Sequence, residues 1–375
     1  MILSPGATIG ILGSGQLGRM LAMAALKLGL RTHIFAPEAA APAYDAAAAR
    51  TVAAFDDEAA LARFAEAVDV VTFEFENVPT ATVEFLAERV AVRPGVRALA
   101  QTQDRLTEKT FLRDLGLKTA PFAKVEDAGA LVRAVAELGR PAILKTRRFG
   151  YDGKGQSLIR EGSNVAAVHR TLGPAPMILE GFVAFEREVS VVAARSLEGE
   201  IVAYDLCENE HERHILARTR APARVSPETA AEAKRIAGQV LEALEYVGVL
   251  AVELFVVRDR HGEGLIVNEV APRVHNSGHW TIEGAQTSQF EQHVRAIAGW
   301  PLGASTRRGR AEITSSKAVQ RARDPRRMIR TVSSSPASAS SSSKASAWAN
   351  PRCSPAVTTT DGLTCSMICR SSCSR

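Results

Sequence analysis

Two glutamates, Glu253 and Glu269, interrupt strongly apolar segments of the sequence. Burying one unpaired carboxylate is costly, and burying two on neighbouring strands costs more because like charges repel. A divalent cation removes this cost, since Mg²⁺ takes carboxylate and amide oxygens together with nucleotide phosphates. The two glutamates, with Asn268 beside one of them, therefore predict a magnesium site. The alternative is that both lie on the solvent-exposed face of a sheet.

A lysine followed by a glycine-rich loop predicts a phosphate site. Lys145 ends an apolar segment, and three glycines follow within residues 150–155, with basic residues on either side. Such loops let backbone amides approach phosphates, and a lysine adds a point charge. The loop lacks the G-K-[ST] ending of a Walker A motif. The alternative is an exposed turn with solvated charges.

Further polar residues are candidates for completing a nucleotide site. Glu180 and Glu188 stand at the edges of predicted strands, where a carboxylate can accept from an adenine amino group or bind ribose hydroxyls. Downstream, Arg273 and His275 suit a phosphate, since arginine binds oxyanions through two N–H groups at once. His279 fits either that site or a structural role in the core.

A glycine motif near the N-terminus has two interpretations. Residues 13–18 follow the pattern G-x-G-x-x-G between a predicted strand and a predicted helix, where backbone amides favour an anion. Glu38 lies about twenty residues further on, where an acid would bind the ribose of a dinucleotide. The alternative is a tight turn in which glycine allows the helix and the strand to pack closely.

Apolar periodicity predicts the elements that position these residues. Near the N-terminus, strands at 7–12, 32–35 and 68–73 with a helix from Leu17 to Leu28 indicate an open α/β sheet. A helix over 102–115 connects it to a β-rich part that begins near Pro121. That part is predicted to contain strands at 142–146, 177–180, 188–194 and 201–206, a helix at 227–244, and paired strands at 248–257 and 264–269.

Charge, apolar run length and cysteine content argue against a protein that binds nucleic acid, spans a membrane or is secreted. The chain has 375 residues, with 46 Lys and Arg against 41 Asp and Glu. Residues 313–375 hold 10 of the basic and 2 of the acidic residues, a charge of +8, so residues 1–312 carry −3 and offer no basic surface to a polyanion. No apolar run approaches the about 18 residues of a membrane span, and no secretion leader is expected. Cys207 is the single cysteine before residue 313, which suits a reducing cytoplasm.

Four segments together resemble the N5-carboxyaminoimidazole ribonucleotide synthase family of the ATP-grasp superfamily, which works in purine biosynthesis. They are residues 15–20, 72–79, 150–156 and 268–281, within a resemblance that covers roughly residues 7–312. It implies a Rossmann-like N-terminal domain followed by an ATP-grasp fold, a mixture of α/β and α+β. It also implies an ADP-producing ligase that carboxylates 5-aminoimidazole ribonucleotide with bicarbonate, through carboxyphosphate as an intermediate. The resemblance further implies a homodimer. Under this resemblance, the glycine motif would border the substrate site and would not bind NAD, and Glu38 would lose its role.

The resemblance implies roles for individual residues. ATP would be bound by Arg105, Lys145, Gly150, Tyr151, Asp152, Gly153, Lys154, Gly155, Gln156, Glu180, Gly181, Phe182, Val183, Glu188, His211, Asn268 and Glu269. Among these, Lys145 would contact the phosphates under the loop 150–156, Glu180 and Val183 would hold adenine, and Glu188 the ribose. Mg²⁺ would lie on Glu253 and Glu269. The ribonucleotide would contact Glu76, Tyr151, Asp152, Arg273 and His275, and the catalytic residues would be Asp152, Arg273 and Lys145.

The implied domains end in a segment that departs from the family. A pre-ATP-grasp domain is expected over 1–101, an ATP-grasp domain over 102–300 with a small lid near 121–184, and the start of a C-terminal β domain over 301–312. Residues 313–375 instead contain 16 serines, against 10 in the preceding 312, and lack the family's basic phosphate-binding segment, which predicts a disordered tail.

We hypothesise a reading-frame shift just after Glu312. The degenerate genetic code permits a shifted reading of residues 345–349 as Pro-Arg-Pro-Gly-Arg, close to where the family's basic segment is expected. The nucleotide sequence tests this hypothesis, because a genuine tail would show no family-like peptide in either alternative frame.

Other functions stay open from the sequence. A formate-using glycinamide ribonucleotide transformylase shares the superfamily but differs in the glycine loop and in residues 275–281. An NAD(P)-binding oxidoreductase would use the motif at 13–18. A catalytically impaired relative would bind ATP without turnover, because the altered segment lies where the phosphate of the substrate is normally held.

Overall fold

A four-stranded parallel sheet forms the N-terminal part of the chain in a computed structural model that describes residues 1–150, 154–260 and 262–314. Its strands are β1 (Thr8–Leu12), β2 (Arg31–Ala36), β3 (Ala49–Val52) and β4 (Val70–Phe73), in the order β3-β2-β1-β4. The associated helices are α1 (Gln16–Lys27), α2 (Glu58–Glu66), α3 (Thr80–Ala87) and α4 (Val96–Thr102). The predicted Rossmann-like sheet is confirmed.

The predicted connecting helix is interrupted at its start. Helix α4 ends at Thr102, and a separate helix α5 (Arg105–Asp114) begins after Asp104. Asp104 Oδ1 accepts hydrogen bonds from the backbone N–H groups of Leu106 and Thr107, at 2.9 and 3.2 Å, and so caps α5. The apolar spacing alone conceals this break, because a cap changes the backbone without changing the periodicity.

A small antiparallel sheet follows. Its order is β5-β8-β6-β7, formed by β5 (Phe122–Val125), β6 (Ala142–Thr146), β7 (Gln156–Ile159) and β8 (Met177–Gly181). Helices α6 (Ala128–Leu138) and α7 (Val165–Leu172) accompany it, and the sheet shares a separate apolar core with α6. Lys145 lies near the end of β6, as predicted.

The third sheet has seven strands. It runs β14-β13-β9-β11-β12-β15, with β10 paired to β9; its strands are β9 (Arg187–Arg195), β10 (Ile201–Ala203), β11 (Cys207–Glu212), β12 (Ile215–Ala221), β13 (Gly248–Asp259), β14 (Gly262–Ala271) and β15 (Ala311–Thr314). Helices α8 (Pro227–Ala243), α9 (Thr281–Gly284) and α10 (Gln289–Ala298) complete it. Strand β10 is shorter than predicted, because Tyr204 and Leu206 continue the apolar run but are buried outside the strand.

The N-terminal sheet and the large sheet share one hydrophobic core. Ile9 on β1 and Leu21 on α1 belong to the same buried cluster as Val192 on β9, Ala251 on β13 and Ile297 on α10. This shared core fixes the carboxyl end of β4 relative to the large sheet. The residues that follow β4 can therefore take part in a site formed by β13 and β14.

Several predictions concern residues outside the described part of the chain. They are the roles of Tyr151, Asp152 and Gly153, and the disorder and frame shift of the C-terminal segment, of which residues 315–375 are not described. Among the helices of the described residues, none has both the length and the apolar character that crossing a bilayer requires.

Candidate active site

Glu253 and Glu269 occupy facing positions on the adjacent antiparallel strands β13 and β14. The register shifts directly after this pair, since Leu254 faces Val267, and Asn268 is left as the additional residue of a β-bulge. Bulges redirect side chains and are common beside active sites. The strand pair thus brings two carboxylates together next to an irregular stretch of backbone.

Each of the two carboxylates contacts a nitrogen atom of another side chain. Arg105 Nη1 contacts Glu269 Oε2 at 3.0 Å, and His275 Nε2 contacts Glu253 Oε1 at 3.0 Å. Burial disfavours the charge of Glu269, but the positive charges of Arg105 and Lys145 outweigh this and lower its pKa to about 2. Glu269 is therefore anionic at neutral pH.

Lys145 is held by a buried carboxylate. Its Nζ lies 3.0 Å from Glu180 Oε2, and Lys109 Nζ lies 3.6 Å from the same oxygen. Burial opposes ionisation of Glu180, but the two lysines lower its pKa. Within the described part of the chain, Glu180 Oε1 is buried without a hydrogen-bond partner. This free acceptor lies at the end of β8, close to the lysines.

Helix α5 contributes two charged residues, Glu108 and Lys109, that the sequence analysis missed beside the predicted Arg105. Arg105, Glu108, Lys109 and Leu112 are three or four residues apart, so they lie on one side of the helix. Glu108 Oε1 accepts from the backbone N–H of Val270 at 2.6 Å, and Lys109 Nζ donates to the carbonyl of Asn268 at 2.5 Å. Both side chains are buried. Three charged residues on one helical face were the available signal.

The two buried charges of α5 have shifted pKa values. Burial and the negative charge of Glu269 raise the pKa of Glu108 to about 8, against the influence of Lys109. Burial lowers the pKa of Lys109, and the negative charge of Glu180 partly offsets this lowering. Since both groups bond the backbone of β14, they fix the position of the strand that carries Glu269.

Arg273 and Glu76 form a two-point ion pair between the two sheets. Arg273 Nε contacts Glu76 Oε2, and Nη2 contacts Oε1 at 3.2 Å. Burial opposes the ionisation of Glu76, but the positive charge of Arg273 lowers the pKa of this carboxyl group. Gln103 Nε2 donates to the Glu76 carbonyl at 2.7 Å and so supports this turn. The pair brings the segment after β4 against the end of β14.

The glycine motif at residues 13–18 binds a carboxylate of the protein itself. The backbone N–H groups of Gly15 and Gly18 donate to the two carboxylate oxygens of Glu74, one to each. A Cβ atom at Gly15 would lie 2.8 Å from Glu74 Oε1. Ser14 Oγ donates to Glu38 Oε2 at 3.0 Å. The anion position that a dinucleotide would need is therefore filled from within the chain.

Glu188 and His211 come together on the neighbouring strands β9 and β11, where His211 Nδ1 contacts Glu188 Oε2. Burial would lower the pKa of His211, but Glu188 raises it. Nearby, Phe185 stacks on Phe255 with ring centroids 4.5 Å apart. Phe182 stays exposed after β8. Phe255 faces Glu188 across β13 and β9, so the polar pair and the stacked rings lie in the same part of the large sheet.

The described edge of the glycine loop lies beside Lys145. Gln156 faces Lys145 in the β6–β7 register, and the Gly155 carbonyl accepts from the Thr146 N–H at 2.7 Å. Arg105 Nη2 donates to the Gly150 carbonyl at 3.1 Å. Arg105 therefore connects the loop with Glu269.

Glu269 is the electrostatic centre of this arrangement. It interacts with residues from five other segments, namely Glu76, Arg105, Glu108, Lys145, His211, Arg273 and His275. His279 lies aside from these contacts: its Nδ1 contacts the His275 carbonyl at 3.1 Å, its ring meets Phe290 edge-on, and burial lowers its pKa to about 4. The contacts of His279 are those of a structural residue.

Comparison with known proteins identifies the family. Two family models match, the ribonucleotide synthetase preATP-grasp domain over residues 6–103 and the ATP-grasp domain over residues 110–290. The N5-carboxyaminoimidazole ribonucleotide synthase of Brucella melitensis is 52% identical over 307 residues, which cover 81% of this chain and 84% of that protein.

Solved structures agree with this match. The N5-carboxyaminoimidazole ribonucleotide synthetase of Thermus thermophilus aligns with a TM-score of 0.77 at 48% identity, over 82% of each chain. The N5-carboxyaminoimidazole synthase of Aspergillus clavatus, in complex with ADP and 5-aminoimidazole ribonucleotide, aligns with a TM-score of 0.76 at 29% identity, over 83% of this chain and 82% of that one. The chain belongs to the N5-carboxyaminoimidazole ribonucleotide synthase family of ATP-grasp enzymes.

Proposed function

We propose that the chain catalyses the ATP-dependent carboxylation of 5-aminoimidazole ribonucleotide by bicarbonate, giving N5-carboxyaminoimidazole ribonucleotide, ADP and phosphate. The observation that carries this function is the facing pair Glu253 and Glu269, with Lys145 and Arg273 both interacting with Glu269. Phosphoryl transfer depends on positioning and charge neutralisation more than on a nucleophilic side chain. This cluster offers both.

The nucleotide would lie between the small sheet and the large sheet. Lys145 contacts the phosphates, and its ion pair with Glu180 holds its ammonium group in place. The free Oε1 of Glu180 is the kind of acceptor that an adenine amino group needs, and Phe182 and Val183 follow it closely in the sequence. Glu188 and His211 would bind the ribose and the edge of the nucleotide.

The residues fit a magnesium ion. His275 contacts Oε1 of Glu253 and Arg105 contacts Oε2 of Glu269, so within the described residues the other oxygen of each carboxylate can face a cation. No cluster of three or more His, Cys, Asp or Glu ligands occurs among the described residues. A pair of carboxylates suits Mg²⁺, which commonly takes one or two carboxylates and completes its octahedral coordination with phosphate oxygens and water. When bound, Mg²⁺ would neutralise charge on the transferring phosphoryl group.

The ribonucleotide would be held on the opposite side of Glu269 from the nucleotide. Glu76 holds the Nε–Nη2 edge of the Arg273 guanidinium through two contacts, which leaves the remaining N–H groups in a defined direction. In the reaction, a bicarbonate oxygen attacks the terminal phosphorus of ATP and ADP leaves, which gives carboxyphosphate. The exocyclic amine then bonds to the carboxyl carbon, directly or after release of CO₂, and phosphate leaves. Asp152, Arg273 and Lys145 are the proposed catalytic residues.

ADP production with each substrate omitted in turn tests this function. We expect ADP release to require ATP, bicarbonate and 5-aminoimidazole ribonucleotide together. Formate with glycinamide ribonucleotide should not replace them. Release that depends on formate would assign the chain to the transformylase reaction. Thermal stabilisation by MgATP without any turnover would identify a catalytically impaired relative.

The organisation of the chain follows the same family. We propose a pre-ATP-grasp domain over 1–101, an ATP-grasp domain over 102–300 with a lid near 121–184, and a homodimer located in the cytoplasm. The family resemblance supports the domains and the dimer, and the single, reduced Cys207 of residues 1–312 supports the location. Light scattering on the purified chain tests the dimer.

A further inference from the structure

A line of buried polar side chains crosses the large sheet and ends at Glu253. It consists of Thr219 on β12, Asn209 on β11, Ser190 on β9, and Ser277 and His275 after β14. Thr219, Ser190 and Ser277 are 0% exposed and Asn209 is 6% exposed. Polar groups at such positions are costly unless each forms hydrogen bonds, so the donors and acceptors along the line are restricted.

The donors point in one direction. Thr219 Oγ1 donates to Asn209 Oδ1 at 3.0 Å, and Asn209 Nδ2 donates to Ser190 Oγ at 2.9 Å. Because the amide nitrogen can only donate, Ser190 uses its own proton elsewhere. Ser277 Oγ lies at 2.7 Å and Cys207 Sγ at 3.2 Å; sulfur is the weaker acceptor, so Ser190 donates to Ser277.

His275 receives the last of these protons. Ser277 Oγ lies 2.8 Å from His275 Nδ1, and the backbone N–H of Ser277 donates to the same nitrogen at 3.3 Å. A backbone N–H cannot accept, so Nδ1 is an acceptor and the imidazole carries its proton on Nε2. If Ser277 instead donated its proton to Ser190, no proton would lie between Ser277 Oγ and the accepting Nδ1. This protonated Nε2 lies 3.0 Å from Glu253 Oε1.

We propose that Asn209, Ser190 and Ser277 are positioning residues that fix His275 as an Nε2–H donor to Glu253 and thereby orient the Glu253 carboxylate toward a divalent cation. The cation part rests on the proposed function. Ligands of metal ions are commonly oriented by such hydrogen-bond partners. His275 thus acts on the metal site through Glu253.

Nuclear magnetic resonance of the full chain with ¹⁵N-labelled histidine tests the direction of the line. The chain has 8 histidines, and the signals of His275 are those missing from the His275→Gln spectrum. We expect an unprotonated Nδ1 and a protonated Nε2. A protonated Nδ1 would overturn the proposal. This measurement needs neither nucleotide nor metal, so it is independent of the proposed function.

Binding of Mn²⁺ in the presence of ADP, followed by electron paramagnetic resonance, tests the effect on the cation. We expect Ser277→Ala to weaken Mn²⁺ binding about tenfold, with metal-free ADP affinity unchanged. Cys207→Ala is the matched control, because Cys207 is equally buried and contacts Ser190 but lies outside the donor sequence. Equal Mn²⁺ affinity in both variants would overturn the positioning role. A wild-type chain that binds ADP but no Mn²⁺ would instead overturn the metal site of the proposed function, and the orienting role with it.

Discussion

Glu253 and Glu269 face each other across β13 and β14, each with its own cationic or N–H partner, Arg105 for Glu269 and His275 for Glu253. These partners explain how two acids can share a site before any cation binds. Arg105 also reaches the Gly150 carbonyl at the start of the glycine loop. The carboxylate pair, the helix α5 and the loop are therefore connected through one guanidinium group.

Replacing either carboxylate should impair phosphoryl transfer. We expect Glu253→Gln and Glu269→Gln to lower kcat/KM for ATP on the order of 100-fold, since each removes a charge that would hold the metal near the transferring phosphoryl group. Steady-state ADP production over a Mg²⁺ titration measures this. Glu232→Gln is the control, because Glu232 pairs with Arg235 on the surface of α8. Near-normal rates in both active-site variants would contradict the metal assignment.

The two lysines that contact Glu180 should have different roles: Lys109 should mainly stabilise the fold, and Lys145 should mainly bind ATP. Lys109 is buried against Glu180 and the β14 backbone, so we expect Lys109→Met to lower the free energy of unfolding by about 3 kcal/mol. Lys145→Met should cost less stability, because Glu180 keeps Lys109, but should weaken ATP binding at least about tenfold, as loss of a charged hydrogen bond predicts.

Urea unfolding and calorimetric ATP titration of the two lysine variants measure this separation. Lys124→Met serves as the control, since Lys124 pairs with Glu126 at the surface. Equal losses of stability with unchanged ATP affinity would contradict the assigned roles.

The glycine motif should prove to be structural. We expect Glu74→Gln to lower the free energy of unfolding by about 1–3 kcal/mol, because the amide group offers only one acceptor to the two N–H groups of Gly15 and Gly18. Thermal or urea unfolding measures this, with the exposed Glu66→Gln as control. A fluorescence titration of the wild-type chain with NADH should show no binding; tight binding would revive the oxidoreductase hypothesis.

Stability should fall in acid through His293, which joins the two sheets. Its Nδ1 accepts from the Val249 N–H at 3.1 Å, its Nε2 contacts Thr72 Oγ1 at 2.9 Å, and burial lowers its pKa to about 4. In the unfolded chain its pKa is about 6.5. Between these values the unfolded state binds the proton and the folded state does not, so stability decreases as pH falls.

This histidine should contribute about 3 kcal/mol above pH about 6.5, lost progressively toward pH about 4. His293→Gln keeps a neutral acceptor and donor, so its unfolding free energy should depend less steeply on pH over that window. Urea titrations of both proteins at several pH values check this. Parallel pH curves would show that His293 is not the group responsible.

The elements and several candidate residues follow from local sequence patterns. Strand and helix periodicity predicts β6 ending near Lys145, the paired strands that carry Glu253 and Glu269, and the strand–turn–helix around the glycine motif. These patterns are readable because a strand or helix repeats its burial every two or three to four residues. The resemblance to the family is confirmed by the relatives, whereas the roles of single residues stay proposals.

Tertiary structure alone decides which distant residues meet. Glu74 fills the glycine motif, Glu108 and Lys109 bond the backbone of β14, and Asn209 and Ser190 reach His275 through Ser277. Each contact depends on strand order, on a bulge at Asn268 or on the docking of a helix, and periodicity carries no information about these. A charged or polar residue on an apolar face marks such a position, but its partner becomes known only when the chain is folded.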